Sequence, residues 1–187
     1  MPDTRQATLS DIPGILALQE KYLYRNLTEA DRANGFVTTP FTSAQIEAAM
    51  DLKGVFVAAE ARSIVGYAYA AAWPYFLQWK MFEFMVAALP KLKYLNQTLS
   101  MENTFQYGPI CIDEQHRGGK LFRQLFETMR LDLSMRYPIG LTFINKANQR
   151  SFHGHVHKLG WEVLTEFRFN SNEYYYLAFD MTKSVID

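Results

Sequence analysis

Apolar positions in the C-terminal half of the chain follow two different periods. Between residues 119 and 135 they recur every three or four residues, which is the spacing of one face of a helix. Residues 148–159 show a similar pattern that stops at Gly160, the residue type that most often closes a helix. Short apolar runs bounded by turn residues predict strands instead. The predicted elements are helices at 119–135 and 148–159 and strands at 139–144, 161–169 and 174–181, the last two joined by a turn at 170–172.

The N-terminal half carries the same two signals. Ser10 is a good helix cap and Pro13 is tolerated in a first turn, so a helix is expected to start there. Ser43 has the same cap character before a second helix. The remaining elements are a strand at 4–8, a loop at 34–35, a hairpin of strands 54–60 and 64–71, a helical stretch at 73–95 and a strand at 104–113 that Gly108-Pro109 bends or bulges.

The order of these elements is β-α-α-β-β-(α)-β-α-β-α-β-β, which predicts an α/β (α+β) fold with a mixed sheet. No internal repeat, low-complexity segment or linker interrupts it. A length of 187 residues suits one domain, spanning 1–187, with a helical insertion at about 73–100.

Composition narrows the possible roles. Lys+Arg and Asp+Glu both count 19, and this balance argues against nucleic-acid binding. Cys111 is the one cysteine, so no intrachain disulfide forms and a reducing compartment is the default. The N-terminal residues lack the apolar run of a signal peptide, and the apolar stretch 73–92 is interrupted by Lys80, Glu83 and Pro90, which argues against a membrane span. The expectation is a soluble cytoplasmic domain without a membrane partner.

The junction between strand 104–113 and the following helix carries Arg117-Gly118-Gly119-Lys120. Glycines at a helix N-terminus expose unpaired N–H groups beside these cations, an arrangement that suits a pyrophosphate. An ordinary turn with solvated charges is the alternative. A P-loop is excluded because Lys120 is followed by Leu121 and position 114 is Glu114, and the spacing of a dinucleotide fingerprint is missing.

The stretch ICIDEQHRGGKLFRQLF resembles motif A of the GNAT acetyltransferase superfamily, whose strand ends in a loop that holds the pyrophosphate of acetyl-CoA. Lys120 and Phe122 depart from the motif, since small residues are usual there, and Gly119 stands one place early. NQRSFHGHVHKLGW resembles the later motif of the family, with His155 where a tyrosine is frequent. TRQATLSDIPGILALQ and GVFVAAEARSIVGYAYA resemble its entry and its second and third strands.

The resemblance implies the GNAT fold, a mixed, mostly antiparallel sheet of about six to seven strands flanked by helices. It also implies transfer of acetyl from the co-substrate acetyl-CoA to an amine of a small molecule or peptide. The alternative is a CoA-binding protein without turnover, such as a sensor or complex subunit. The residues implied to contact the co-substrate are Ile110, Cys111, Ile112, Arg117, Gly118, Gly119, Lys120, Leu121, Phe122, Asn148 and Ser151.

Two residues are candidates for proton transfer. His155 takes the place of a tyrosine that can protonate the leaving thiol in the family, so it either handles a proton or is a polar neighbour of the co-substrate. Glu102 precedes the strand near a carboxylate that some members of the family keep, although a solvated glutamate is the commoner outcome. Cys111 is expected to pack rather than react. No metal site is expected, because His155 points away from His153 and His157 on a helix.

The insertion concentrates aromatic residues in one short span. A single helix cannot bury rings on every side against one sheet, so some should face a second surface. A wall of the acceptor pocket is the favoured interpretation, and a homodimer seam is the second. A membrane interface fits least well, because Lys80, Lys91 and Lys93 form no continuous basic face.

Overall fold

A computed structural model describes residues 2–186 and contains one seven-stranded sheet, in the order β1-β2-β3-β6-β7-β9-β8. Every neighbouring pair is antiparallel except β6 and β7, which run parallel. A separate two-stranded sheet pairs β4 with β5. The strands are β1 Asp3–Gln6, β2 Val55–Glu60, β3 Ser63–Ala71, β4 Lys93–Tyr94, β5 Gln97–Thr98, β6 Thr104–Ile112, β7 Ile139–Asn145, β8 Glu162–Phe169 and β9 Asn172–Asp180.

Helices cover both faces of the large sheet and bury two apolar cores. The first core joins the sheet to α1, α3 and the insertion, and the second joins it to α6 and the segment after α7. The helices are α1 Ile12–Tyr22, α2 Glu29–Arg32, α3 Ser43–Asp51, α4 Trp73–Phe76, α5 Lys80–Ala88, α6 Leu121–Leu133 and α7 Gln149–His153, which continues as a π-helical segment, Gly154–Leu159. Among the described residues, no helix combines the length and apolarity that crossing a bilayer requires.

Two of the expected helix caps are wrong by one or two residues. Thr42, rather than Ser43, caps α3, and its side chain pairs reciprocally with Gln45 in a capping box. Thr8 and Asp11 form the equivalent box one turn before α1, where Ser10 was expected to cap. Threonine competes well with serine at this position, so the sequence left either choice open.

The insertion is only partly helical. It comprises α4, α5, a 3₁₀ turn at Leu89–Lys91 and the β4-β5 hairpin. Trp73 and Phe76 are fully buried, and the indole of Trp73 donates to the hydroxyl of Thr104 at 2.9 Å. Trp79 packs on Phe41 with ring centroids 5.4 Å apart. Many of the rings therefore belong to the first core rather than to a second surface.

Strands β6 and β7 part after three residue pairs, which end at Gln106 opposite Leu141. The Tyr107 carbonyl at this fork accepts hydrogen bonds from Gln106 Nε2 at 2.6 Å and from Thr142 Oγ1 at 2.8 Å. On the other edge of β6, Gly108 and Pro109 form the predicted bulge, because Tyr107 pairs with Ala70 while Ile110 pairs with Ala68. The peptide bond between Gly108 and Pro109 is cis. Beyond Gln106 the edge of β6 that faces β7 is therefore open.

Candidate functional site

A cleft of about 500 Å³ lies at the open end of the gap between β6 and β7. Most of the predicted co-substrate residues line it, together with His155. Its walls are residues 33–37, 110–112, 117–119 and 148–151, with Tyr22, Phe122, residues 153–155 and Lys158. The structure thus brings together segments that are more than a hundred residues apart in the sequence.

The loop at residues 33–37 closes one side of this cleft and is held by main-chain bonds. Arg117 Nη1 donates to the Asn34 carbonyl at 2.7 Å, and Asn148 Nδ2 donates to the Phe36 carbonyl at 3.0 Å. Gly35 between them has a φ of +92°, and a Cβ there would lie 3.6 Å from Asn148 Oδ1. Glycine adopts this left-handed conformation at little cost, so it lets the loop turn beside Asn148.

Arg117 is positioned by contacts within the protein. Its Nε donates to the Ile112 carbonyl at 2.7 Å, and its guanidinium carbon lies 4.4 Å from the centroid of the Tyr22 ring. The residue therefore ties the end of β6 to loop 33–37 and places a positive charge in the cleft wall. The sequence indicated the positive charge of Arg117 but not that its side chain connects β6 to this loop.

The glycines after Arg117 present bare backbone at the start of α6. Gly118 has a φ of +86°, and a Cβ added at Gly118 or Gly119 would meet no atom within 4 Å. Lys120 stands at the N-cap position and is exposed, whereas Leu121 is buried in the second core, and neither side chain lines the cleft. The open space over two glycines at a helix N-terminus suits an anionic group.

The charged side chains that line the cleft are cationic. Arg117, Arg150 and Lys158 line it, and none of the described residues that line it is Asp or Glu. Arg150 and Lys158 are exposed, so their charges reach solvent as well as the cleft. Sequence reasoning missed both residues, although they are spaced eight apart in the segment that resembles the later family motif.

Asn148 is the N-cap of α7 and is buried. Its Oδ1 accepts from the backbone N–H of Ser151 at 3.2 Å, so the same side chain caps the helix and holds the loop. Ser151 in turn accepts a hydrogen bond at its carbonyl from His155 Nδ1 at 2.7 Å. This bond fixes the tautomer, leaving Nε2 as the acceptor nitrogen of a neutral ring.

His155 lies where the cleft meets a second cavity, and it is almost completely buried. Burial lowers the pKa of His155 to about 4, and the bond to the Ser151 carbonyl only partly offsets this. The rings of Tyr107, Phe122 and Trp161 surround the imidazole, with centroids 5.6, 5.4 and 5.9 Å away. The neutral ring suits a hydrogen-bonding wall better than a proton donor.

The second cavity, called the chamber below, has a volume of about 80 Å³ and fills the fork between β6 and β7. Phe36, Val37, Ile110, Asn148, Ser151 and His155 line both cavities, so the two adjoin. The other walls are residues 38–39, 106–109 and 142–145, with Phe41 and Phe82. Phe82 belongs to α5, so one ring of the insertion does reach this chamber.

Neither Cys111 nor Glu102 offers a reactive group to the two cavities. Burial raises the pKa of the Cys111 thiol to about 12, so the thiolate needed for a nucleophile is not populated at neutral pH.

Glu102 lies on an exposed turn before Thr104, at the end of β6 opposite Ile112, and it lines neither cavity. Its place argues against the expected role as a general base, because that base must be within reach of the amine.

The exposed histidines of α7 and its π-helical continuation do not join His155. The rings of His153 and His157 lie 4.9 Å apart on the exposed side, whereas His155 is buried. Across residues 2–186, no cluster of three or more His, Cys, Asp or Glu side chains is placed to hold a metal ion.

Solved structures of acetyltransferases share this architecture. A putative acetyltransferase, yncA, from Salmonella typhimurium with acetyl-CoA aligns with a TM-score of 0.62 and 16% identity, covering 98% of this chain and 95% of that one. A GNAT superfamily phosphinothricin acetyltransferase from Sinorhizobium meliloti in complex with acetyl-CoA aligns with a TM-score of 0.61 and 15% identity, covering 96% and 88%. An N-acetyltransferase from Staphylococcus aureus Mu50 gives 0.62 and 17%, covering 97% and 99%.

No protein-family model matches the sequence, and no curated protein matches it. The likeness is therefore one of structure, and it shows that the chain has the GNAT fold. The predicted fold class, a mixed and mostly antiparallel sheet flanked by helices, is confirmed.

Proposed function

We propose that the protein is an acyl-CoA-dependent N-acyltransferase that transfers acetyl from acetyl-CoA to an amine of a small molecule or peptide. The observation that carries the proposal is the fork between β6 and β7, which continues into a cleft lined by cations and bare glycine backbone. A ligand with an anionic end and a long neutral arm fits this arrangement, with the anion in the cationic cleft and the arm along the fork. Coenzyme A has that form, with phosphates at one end and a pantetheine arm that ends in the thiol.

The two ends of the cleft divide the work of binding. Gly118, Gly119 and the N-terminus of α6 offer N–H groups to the pyrophosphate, and Arg117, Arg150 and Lys158 surround it with positive charge. Residues 110–112 on the open edge of β6 offer backbone groups to the pantetheine amides, as an added strand would. The thioester then lies at the fork, next to the chamber.

Direct transfer fits the site better than an acyl-enzyme. The amine nitrogen attacks the thioester carbon, the C–N bond forms, the C–S bond breaks, the nitrogen loses a proton and the thiolate gains one. Cys111 is protonated and buried, so it offers no competing nucleophile. His155 stays neutral and helps to shape the junction rather than protonating the sulfur.

The structural neighbours support the co-substrate and leave the acceptor open. Two of them were solved with acetyl-CoA, and the NatC complex was solved bound to Gag peptide and CoA. Small amines and peptide amines are both acceptors that the GNAT fold can serve. We therefore propose the co-substrate and the bond that is formed.

Calorimetry with acetyl-CoA, followed by a thiol-release assay over a panel of amines, tests this proposal. Gly119→Val should weaken acetyl-CoA binding at least tenfold, because its side chain enters the space over the helix N-terminus, without disturbing the fold. Ala87→Val, which adds a valine at an exposed position of α5 outside both cavities, is the control. Failure of wild-type protein to bind acetyl-CoA would contradict the proposal, and binding without release of thiol on any amine would favour the CoA-binding alternative.

A further inference from the structure

Gln106 presents an unused hydrogen-bond acceptor in the wall of the chamber. The residue is 1% exposed, and its Oε1 is a buried atom with no hydrogen-bond partner. A buried amide oxygen without a partner costs free energy, so such an atom beside a cavity marks a place where a ligand's N–H or O–H can bind. No other described atom that is both buried and unpartnered belongs to a side-chain carbonyl.

The orientation of this amide is fixed by its other end. Gln106 Nε2 donates to the Tyr107 carbonyl at 2.6 Å, so the nitrogen must lie on that side and the oxygen on the other. Thr142 Oγ1 donates to the same carbonyl at 2.8 Å. The two bonds use both lone pairs of the Tyr107 oxygen, which leaves Gln106 Oε1 as the acceptor available at the fork.

The chamber around Gln106 carries no formal charge. None of the described residues that line it is Asp, Glu, Lys or Arg, in contrast to the cationic cleft beside it. Its walls include the rings of Phe36, Phe41, Phe82 and Phe143. A carboxylate or a second ammonium on an acceptor would lose its hydration here without gaining a charged partner, which is costly.

We propose that the chamber selects a compact amine that carries no second charge, and that Gln106 Oε1 binds this acceptor by accepting a hydrogen bond from its N–H. The assignment rests on the proposed N-acyltransferase function and adds the substrate class and a specificity residue. A volume of about 80 Å³ is about half that of an engineered protein cavity of about 150 Å³ that binds benzene, so it fits a short unbranched amine and not a bulky group.

The arrangement also orients the reaction. With one N–H held by Gln106, the nitrogen lone pair is free to attack the thioester carbon at the fork. The C–N bond forms as the C–S bond breaks, the nitrogen releases its extra proton to water and the departing sulfur takes a proton from water. Because Gln106 carries no charge, an alkylammonium gains no ion pair in the chamber, and the amine enters as the neutral base.

Three amines of one chain length test the class. Butylamine, 4-aminobutyrate and putrescine share a terminal amine and differ at the far end, which is a methyl group, a carboxylate or a second ammonium. We expect kcat/KM, measured by thiol release with saturating acetyl-CoA, to be at least tenfold higher for butylamine than for either charged analogue. Equal or reversed values would overturn the inference, as would the absence of turnover on all three. Acetyl-CoA binding, measured separately, tells that failure from failure of the proposed function.

Variants locate the effect at the chamber. Gln106→Met should raise KM for butylamine about tenfold and leave acetyl-CoA affinity unchanged, because an apolar side chain of similar length removes the acceptor oxygen. An unchanged KM in a folded Gln106→Met protein would overturn the role of Gln106.

A second pair of variants covers the case in which Gln106→Met does not fold. Phe82→Ala enlarges the chamber, whereas Phe84→Ala removes an exposed ring of the same helix that packs on Phe167 and Phe169 outside it. We expect Phe82→Ala to improve kcat/KM for phenethylamine relative to butylamine at least threefold, and Phe84→Ala to leave the ratio unchanged. Identical ratios in the two variants would overturn the assignment of the chamber as the acceptor site.

Discussion

The cleft and the chamber adjoin at the fork between β6 and β7, yet they differ in size, in openness to solvent and in the charge of their walls. The cleft is large, open to solvent and lined by Arg117, Arg150 and Lys158. The chamber is about one-sixth of its volume and is lined by aromatic rings and neutral polar groups. His155 belongs to the wall of both.

This contrast separates affinity from selectivity. Charges in an open cleft attract a polyanion from a distance and tolerate small changes of geometry. A small uncharged chamber contributes little long-range attraction, but it rejects ligands whose charges it cannot solvate. Under the proposed function, the cleft would account for affinity for a constant co-substrate and the chamber for discrimination among acceptors by exclusion.

The largest expected effect concerns the wall that the two cavities share. Burial holds the pKa of His155 at about 4, against 6.5 in the unfolded chain. Between these values the unfolded state binds a proton that the folded state does not, so stability is complete above pH 6.5 and falls as the pH drops towards 4. The full loss corresponds to about 3 kcal/mol, of which about 2 kcal/mol should be seen by pH 5. Urea unfolding at pH 7, 6 and 5 measures it.

His155→Phe should flatten this dependence, since the variant has nothing to titrate at that position. His157→Phe is the matched control, because His157 is an exposed histidine of the same π-helical segment and its removal should leave the slope intact. If the pH dependence of the unfolding free energy persists in His155→Phe, a group other than His155 causes it.

The next effect separates the cleft from the chamber. Arg117→Ala removes a cation from the cleft and frees the end of β6 and loop 33–37 from their bonds to the guanidinium. We expect acetyl-CoA affinity to fall by about 2 kcal/mol in calorimetry, with a smaller change in KM for the amine. Arg168→Ala, at an exposed arginine of the edge strand β8, should change neither. Equal losses at both arginines would mean that net charge alone matters.

The smallest effect is the response to salt. Raising NaCl from 50 to 500 mM should weaken acetyl-CoA binding by about 1 kcal/mol and leave KM for a neutral-tailed amine nearly constant. Arg150→Ala combined with Lys158→Ala should reduce this salt dependence, because both charges are exposed and screened. If both ligands respond equally to salt, the electrostatic difference between cleft and chamber would be refuted.

The sequence predicted the cleft far better than the chamber. Arg117-Gly118-Gly119 is contiguous and has a local physical meaning, so its place at a helix N-terminus followed from the pattern. Gln106 carried a weaker signal, a polar residue between Phe105 and Tyr107, and its free oxygen depends on a contact with Tyr107 and on the parting of two strands. Such a role exists only once the chain is folded.

The same limit explains Glu102 and the insertion. Its position just before a strand suggested that Glu102 lies near the reaction, but it precedes the start of β6, at the opposite end of that strand from Ile112. The crowding of rings suggested a second surface for the insertion, whereas Trp73 and Phe76 complete the core and only Phe82 reaches the chamber. The composition indicates that the rings must be buried, but the arrangement of the strands and helices determines which residues they pack on.

The loop at 33–37 is fastened through its own carbonyl oxygens, those of Asn34 and Phe36, by Arg117 and Asn148. Every amino acid offers the same carbonyl, so substitutions at positions 34 and 36 leave both attachments available. Phe36, however, faces the chamber as well as the cleft. Position 36 is thus a place where the shape of the chamber can change during evolution, or in a library of variants, while the two attachments of the loop to Arg117 and Asn148 are kept.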